Sequence, residues 1–151
     1  MHLEGEHKLP APPERVYEYM QDPEVLKECL PGCERLERIG EDEYAATMKI
    51  GVAMIKGTYD GRVKISDKNE PTSFKMLIEG KGPQGQVSGE GLLTFASDGE
   101  GGTVIHYAGD ATVRGMLARI GSRVIQPAAK MIVGKFFEAL HNTATSKQTA
   151  S

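Results

Sequence analysis

The sequence predicts an α+β domain in which a curved, seven-stranded antiparallel sheet wraps a long C-terminal helix, with two short helices between strands 1 and 2. Three observations carry this. Apolar residues recur at spacings of three and four over Gly115–Leu140, one face of a helix about 37 Å long. From Glu34 to Val113 the apolar period is instead two, in segments separated by short turns rich in Gly, Asp and Pro, the pattern of an antiparallel meander. Between the first strand and that meander stand two proline-marked helix starts.

In order, His2–Leu9 alternates as a first strand and stops at Pro10, Pro12 and Pro13. A proline in the first helical turn is tolerated because its missing N–H would be unpaired there anyway. Glu14–Met20 follows as a short helix, with Val16, Tyr17 and Met20 inward. Asp22, Pro23 and Glu24 supply a cap, a first-turn proline and an acidic first turn. That second helix carries Val25, Leu26 and Leu30 and ends at Pro31-Gly32.

The strands come next. Leu36–Ile39 is one, and Tyr44, Ala46, Met48 and Ile50 form the apolar row of another. Gly57, Tyr59, Gly61, Val63 and Ile65 alternate with Thr58, Asp60, Arg62 and Lys64, apolar-in and polar-out. Phe74, Met76 and Ile78, then Val87, Leu93 and Phe95, give two more inner rows, and Thr103–Val113 closes the sheet. The helix face is expected to be Leu117, Ile120, Val124, Ala128, Met131, Ile132 and Phe136. Pro127 is expected to divide the helix, because an interior proline removes a hydrogen bond and kinks the axis. The first half would then act as a gate while Ala128–Leu140 stays packed. Residues 1–142 read as a single domain and 143–151 as a disordered polar tail.

Composition narrows the function. At 39% hydrophobic and 26% charged residues the chain is globular. A net charge of −3 lacks the basic footprint of a nucleic-acid binder. No apolar run reaches the ~20 residues of a membrane span, and the N-terminus lacks signal-peptide order. The expected compartment is the cytoplasm.

Glycine placement carries the functional reading. Of 18 glycines, Gly57, Gly61, Gly80, Gly82, Gly85, Gly89, Gly91 and Gly109 fall on inner rows. Glycine inside a strand marks a bend or the close approach of something else. With no Trp and four Phe to fill the interior, the expected sheet is hollow and open to an apolar ligand. The candidate lining is Met20, Leu26, Leu30, Tyr44, Met48, Met54, Tyr59, Phe74, Met76, Ile78, Val87, Tyr107, Leu117, Ile120 and Val124. Tyr59 and Tyr107 are inward polar tips able to hydrogen-bond a ligand. The apolar turn Gly51–Ile55 is unusual for a hairpin tip and would fold back as a lid, face a partner or pack against a neighbour.

Catalytic and metal chemistry find little footing. Cys29 and Cys33 flank a Leu-Pro-Gly turn, but a zinc site needs a second pair of ligands, so two free thiols are expected. Gly80–Gly85 holds glycines and a lysine without the order of a phosphate-binding loop. His106, Asp110 and Glu90 fall on outer rows. No catalytic or metal-ligating residue is assigned.

Several segments resemble a known family. They are Pro10-Ala11-Pro12-Pro13-Glu14-Arg15-Val16, Asp22-Pro23-Glu24-Val25-Leu26 and Cys29-Leu30-Pro31-Gly32-Cys33-Glu34. Lys56-Gly57-Thr58-Tyr59-Asp60-Gly61-Arg62-Val63, Gly80-Lys81-Gly82 and the helix with Leu117, Gly121, Ser122, Arg123 and Phe136-Phe137 complete the set. Together they resemble the CoxG family, named for a component of carbon monoxide dehydrogenase, within the START-like (SRPBCC, Bet v 1-like) helix-grip superfamily. The resemblance implies a non-enzymatic accessory protein that binds a hydrophobic molecule, a quinone or lipid, and supports a molybdenum hydroxylase of the carbon monoxide dehydrogenase type. It also implies at most peripheral contact with the inner face of the membrane. Two alternatives stand beside it: a START-like hydrolase or cyclase acting on an apolar substrate, and an assembly factor with a filled core.

Overall fold

The computed structural model describes residues 1–52 and 55–150, with side chains through Ser146. The elements run β1 (His2–Leu9), α1 (Pro13–Tyr19), α2 (Pro23–Cys29), β2 (Cys33–Gly40), β3 (Glu43–Ile50), β4 (Gly57–Asn69), β5 (Ser73–Gly82), β6 (Gly85–Ser97), β7 (Thr103–Arg114), α3 (Met116–Ile120) and α4 (Ser122–Ala150). One antiparallel sheet takes the order β1-β7-β6-β5-β4-β3-β2. Strands 2 to 7 form a simple meander, and β1 adds to its far edge through β7. The two short helices therefore carry the chain from one edge of the sheet to the other. Asp22 caps α2 as its sequence signals, accepting from the Glu24 amide at 3.0 Å.

The ladder registers place the inner rows side by side. Phe74 stands opposite Leu93, Leu93 opposite Tyr107, and Tyr107 opposite Gly5. Phe95 and Ile105 pair in the next row. α1 and α2 close over this end of the sheet, where Val16, Tyr17, Met20, Val25 and Phe74 are almost fully buried. Burying each such side chain contributes roughly 1.5–3 kcal/mol. Tyr17, Phe74 and Phe95 meet with ring centroids 5.3–5.4 Å apart, edge-on or tilted, the arrangement aromatic quadrupoles favour. The Tyr17 hydroxyl donates to the Ser73 carbonyl, and Thr103 donates to the Ala11 carbonyl at 2.7 Å, so the polar tips inside this core are paired.

The long helix differs from expectation in three ways. It breaks at Gly121 rather than at Pro127, and α4 runs unbroken through the proline. Gly121 (φ 90°, ψ 155°) and Gly115 (φ 78°, ψ −149°) occupy backbone regions open essentially to glycine alone, so α3 is a five-residue segment between two glycine corners. The break also resets the helical phase. Ile125, Ala128, Phe136, Phe137, Leu140 and Ala144 are buried, whereas Val124 and Met131, expected inward, are 36% and 43% exposed. Finally, the segment expected to be a disordered tail from residue 143 continues α4. Ala144 is fully buried, and the Thr143 hydroxyl lies 3.6 Å from Cys29 Sγ on α2.

Candidate ligand-binding site

Beyond the packed end, the inner face of the sheet is lined by backbone. Gly61 faces Gly80 across β4 and β5, and Gly91 faces Gly109 across β6 and β7. A methyl group placed on Gly80 would meet nothing within 4 Å. On Gly61 it would meet only the carbonyls of Glu79 and Ala46, and on Gly91 only β7 backbone. No side chain of α4 descends onto these three positions. The backbone of α4 instead makes its close approaches to β1, α2 and α3, so helix and sheet diverge away from the core. The space above these glycines is the candidate hollow for a ligand.

Its walls follow from the registers. Met48 pairs with Tyr59, Met76 with Ile65 and Gly91, and Val87 with Gly80 and Val113. Met48, Tyr59, Val87 and Ile120 are half-buried, while Leu30, Met76 and Tyr107 are partly buried against the core. Ile78 lies on the same inner row as Phe74 and Met76 but is 43% exposed, so the hollow is open there. Leu117 of α3 is buried, and its amide donates to the Gln84 carbonyl of the β5–β6 turn at 2.8 Å. α3 thereby covers the ends of β6 and β7.

Two tyrosines shape the hollow by lying against glycines. The Tyr59 ring rests over Gly82, where any Cβ would collide with it, and its hydroxyl donates to the Ile55 carbonyl at 2.9 Å. Tyr107 lies over Gly5, whose Cβ would fall 2.7 Å from the phenol oxygen. Its ring stacks on Phe137 (centroids 5.9 Å, interplanar angle 15°), and His7 stacks on the same Phe137 at 4.3 Å. Burial pushes both phenols up and His7 down from their ordinary pKa values, because low-dielectric surroundings disfavour the charged form. At neutral pH all three are uncharged. They suit an apolar guest with a polar end.

Other expected lining residues sit elsewhere. Met20, Leu26, Tyr44 and Phe74 belong to the packed core, each at most 8% exposed. The Tyr44 hydroxyl donates to the Gln21 carbonyl and receives the Arg38 guanidinium. Val124 falls on the outward side of α4 and does not reach the hollow. Met54, with Ala53 of the apolar tip, lies outside the described residues. Sequence reasoning missed His7 and Phe137, which stack beside Tyr107. The inward parity of Gly5, His7 and Leu9 along β1 was the available signal.

A cavity of about 260 Å³ lies between β1 and α4, lined by His7, Lys8, Gly134, Phe137, Glu138, His141 and Asn142. It is below the ~300 Å³ at which small-molecule sites begin, and its lining is mostly polar. Burial raises the pKa of both Cys29 and Cys33, which holds them as unreactive thiols. Among the described residues no group of three or more His, Cys, Asp or Glu could hold a metal ion.

A curved antiparallel sheet gripping a long helix, with two short helices after its first strand, is the architecture of START-like proteins. Among solved structures, a START superfamily protein from Mycobacterium smegmatis aligns with a TM-score of 0.73 over 96% of this chain and 97% of its own, at 11% identity. The Zhui aromatase/cyclase from Streptomyces sp. R1128 aligns at 0.69 over 96% and 93%, at 15% identity. More similar is a conserved protein from Geobacillus kaustophilus, with a TM-score of 0.92, 33% identity, and coverage of 97% of this chain and 96% of that one. The profile of the carbon monoxide dehydrogenase component CoxG matches residues 5–145; the chain belongs to the CoxG family. No curated protein matches it significantly.

Proposed function

We propose that this protein is a non-catalytic carrier that holds a hydrophobic small molecule between its sheet and α4, as an accessory to an oxidoreductase. The partner would be a molybdenum hydroxylase of the carbon monoxide dehydrogenase type, in keeping with membership of the CoxG family, and the guest a lipid or quinone. The observation that carries the reading is the open space above Gly80, with only backbone nearest to Gly61 and Gly91. Apolar walls around such a space bind an apolar molecule by removing its surface from water, at roughly 25 cal/mol per Å². The Tyr107 hydroxyl would orient a carbonyl or hydroxyl at its polar end, and Tyr59, whose proton goes to the Ile55 carbonyl, would accept from a hydroxyl there.

The test is native mass spectrometry of the purified protein followed by organic extraction, with uptake of an apolar dye by the emptied protein. Co-purifying lipid or quinone and saturable dye binding are the expected results. Bare protein that takes up no dye would end the proposal.

One observation favours a second reading, catalysis on an apolar substrate: His7 and Tyr107, both shifted by burial, share the wall around Phe137. Their rings stack, with no hydrogen bond between them among the described residues, so they form a wall rather than a proton relay. His7→Phe would keep ligand uptake under the carrier reading and abolish turnover under the catalytic one.

A further inference from the structure

Strand β1 is one edge of the sheet, paired only through β7. Which of its backbone groups that pairing uses follows from the residue before it. The Met1 amine donates to the Ala111 carbonyl at 2.9 Å, and the Ala111 amide returns the bond at 2.8 Å. Such doubly bonded pairs recur at every second residue of an antiparallel ladder. Leu3, Gly5, His7 and Leu9 therefore direct their amides and carbonyls to β7, and His2, Glu4, Glu6 and Lys8 direct theirs away from it. One of the outward groups is taken, the His2 carbonyl, which accepts from Gln126 of α4 at 2.8 Å. Among the described residues the outward groups of Glu4, Glu6 and Lys8 have no such partner.

Open space runs along that edge. The cavity between β1 and α4 touches both His7 and Lys8. Successive residues of a strand face opposite sides of a sheet, so a cavity that meets both lies at the strand's edge rather than over one face. Its far wall is α4 between Gly134 and Asn142. A methyl group on Gly134 would meet nothing within 4 Å, so the helix leaves room there. With Gln126 beside His2 and Glu138 beside His7 and Lys8, α4 follows the edge in the direction of β1. A slot with a row of free amides and carbonyls along one wall is complementary to another extended backbone.

We propose that this slot binds an extended segment of a partner polypeptide, which joins the sheet as a strand beside Glu4, Glu6 and Lys8. A second copy of β1 does not suit it. Centred on Glu4, on Gly5 or on Glu6, the antiparallel register of β1 with itself sets glutamate opposite glutamate, and like charges directly opposite destabilise a ladder. The same carboxylates favour lysine or arginine on the outer row of the incoming segment, and Glu6 forms no ion pair among the described residues. The row facing Gly134 is confined by α4 and admits small apolar residues. The fitting segment thus alternates basic and small apolar side chains. This goes beyond the carrier reading and does not rest on it, since strand addition can be measured with no guest bound.

The experiment is amide hydrogen exchange of the full chain, read by NMR with and without an excess of the capped peptide Lys-Val-Lys-Val-Lys. The peptide should slow exchange at Glu4, Glu6 and Lys8 and leave Leu3, Gly5 and His7, already bonded to β7, unchanged. N-methylation of the peptide at its lysines, whose amides would face β1, should abolish the effect. Glu6→Pro removes one outward donor and leaves the bonds to β7 in place, which is why an edge strand tolerates proline. It should bind the peptide about fivefold more weakly than Glu6→Gln, which lacks the same charge, through the loss of one hydrogen bond. Gly134→Leu fills the slot with a better helix former, and should abolish binding while melting no lower than the parent. Exchange unchanged by the peptide, equal slowing at consecutive β1 residues, or undiminished binding by Gly134→Leu would each overturn the proposal. So would equal binding of the N-methylated peptide or of Glu-Val-Glu-Val-Glu, or a dimer of this chain paired through β1.

Discussion

Gly61 and Gly80 stand opposite each other in the β4–β5 ladder, and no side chain lies over either within 4 Å. Filling that space should therefore harm binding without harming the fold. Gly80→Leu is expected to leave the structure intact and to raise stability by about 0.5–1 kcal/mol, as replacing a strand glycine does. Apolar dye binding should fall by an order of magnitude. Dye titration beside thermal melting checks this, and undiminished uptake would place the guest elsewhere.

Met76 tests the wall from the other direction. It is partly buried between the core and the glycine rows. Met76→Glu puts an unpaired carboxyl in apolar surroundings, which is costly for both the empty and the filled site. Ligand uptake at neutral pH should be abolished, with partial recovery as acidification neutralises the glutamate. An unchanged uptake curve would show that Met76 does not border the guest.

Acidity should act on the edge strand β1 through two opposed histidines. On the outer face His2 lies 2.9 Å from Asp110 and 3.3 Å from Glu4, and Glu4 also meets His106 at 3.0 Å. The hydrogen bond to Asp110, then that to Glu4, raises His2 above its ordinary 6.5. Its contribution is full below that value and is lost as pH rises through the raised one. The bond from His2, then that from His106, lowers Glu4 below 4.5, so its contribution is present above 4.5 and is lost as pH falls through the lowered value. His7 opposes them on the inner face. Burial lowers its pKa, so protonation favours the unfolded chain and stability declines as pH falls below 6.5. Hydrogen exchange of β1 amides, corrected for intrinsic rates, should show His2→Gln weakening protection at mildly acidic pH and His7→Phe improving it there. Identical profiles for both variants and the parent would refute the assignment.

The corner at Gly121 has a backbone cost that can be measured. A methyl group there would touch nothing within 4 Å, so the penalty of Gly121→Ala is purely conformational, roughly 1–3 kcal/mol. Pro127→Ala should be stabilising, because α4 passes straight through that position and alanine restores the missing donor. Denaturant titrations of the two variants decide between Gly121 and Pro127 as the helix break.

The strand order and the two capped short helices were legible because each rests on local signals: alternation, turn residues, and a proline behind an aspartate. The helix was read out of phase because Gly121 and Pro127 both interrupt it, and local sequence does not rank a glycine corner above a proline. Residues after Asn142 looked like a tail because their composition is polar. What orders them is distant, the contact of Thr143 and Ala144 with the α2 side of the core. The lining of the hollow was half legible. Phe74 and Met76 occupy one inner row and satisfy the same pattern, yet Phe74 is fully buried in the core while Met76 borders the open space. The difference is set by how far α1 and α2 extend over the sheet, which no periodicity records.

The grip of Phe136, Phe137, Leu140 and Ala144 at one end of α4 separates two kinds of selection. Residues that hold the fold together lie around α1, α2 and that end of the helix, while those proposed to face a guest lie on the glycine-lined strands and beneath α3. Substitutions in regions set well apart act additively, so the guest-facing half can be recut for a different molecule with little change in stability. One scaffold can then pass from one apolar guest to another by small steps, each of which leaves a folded protein.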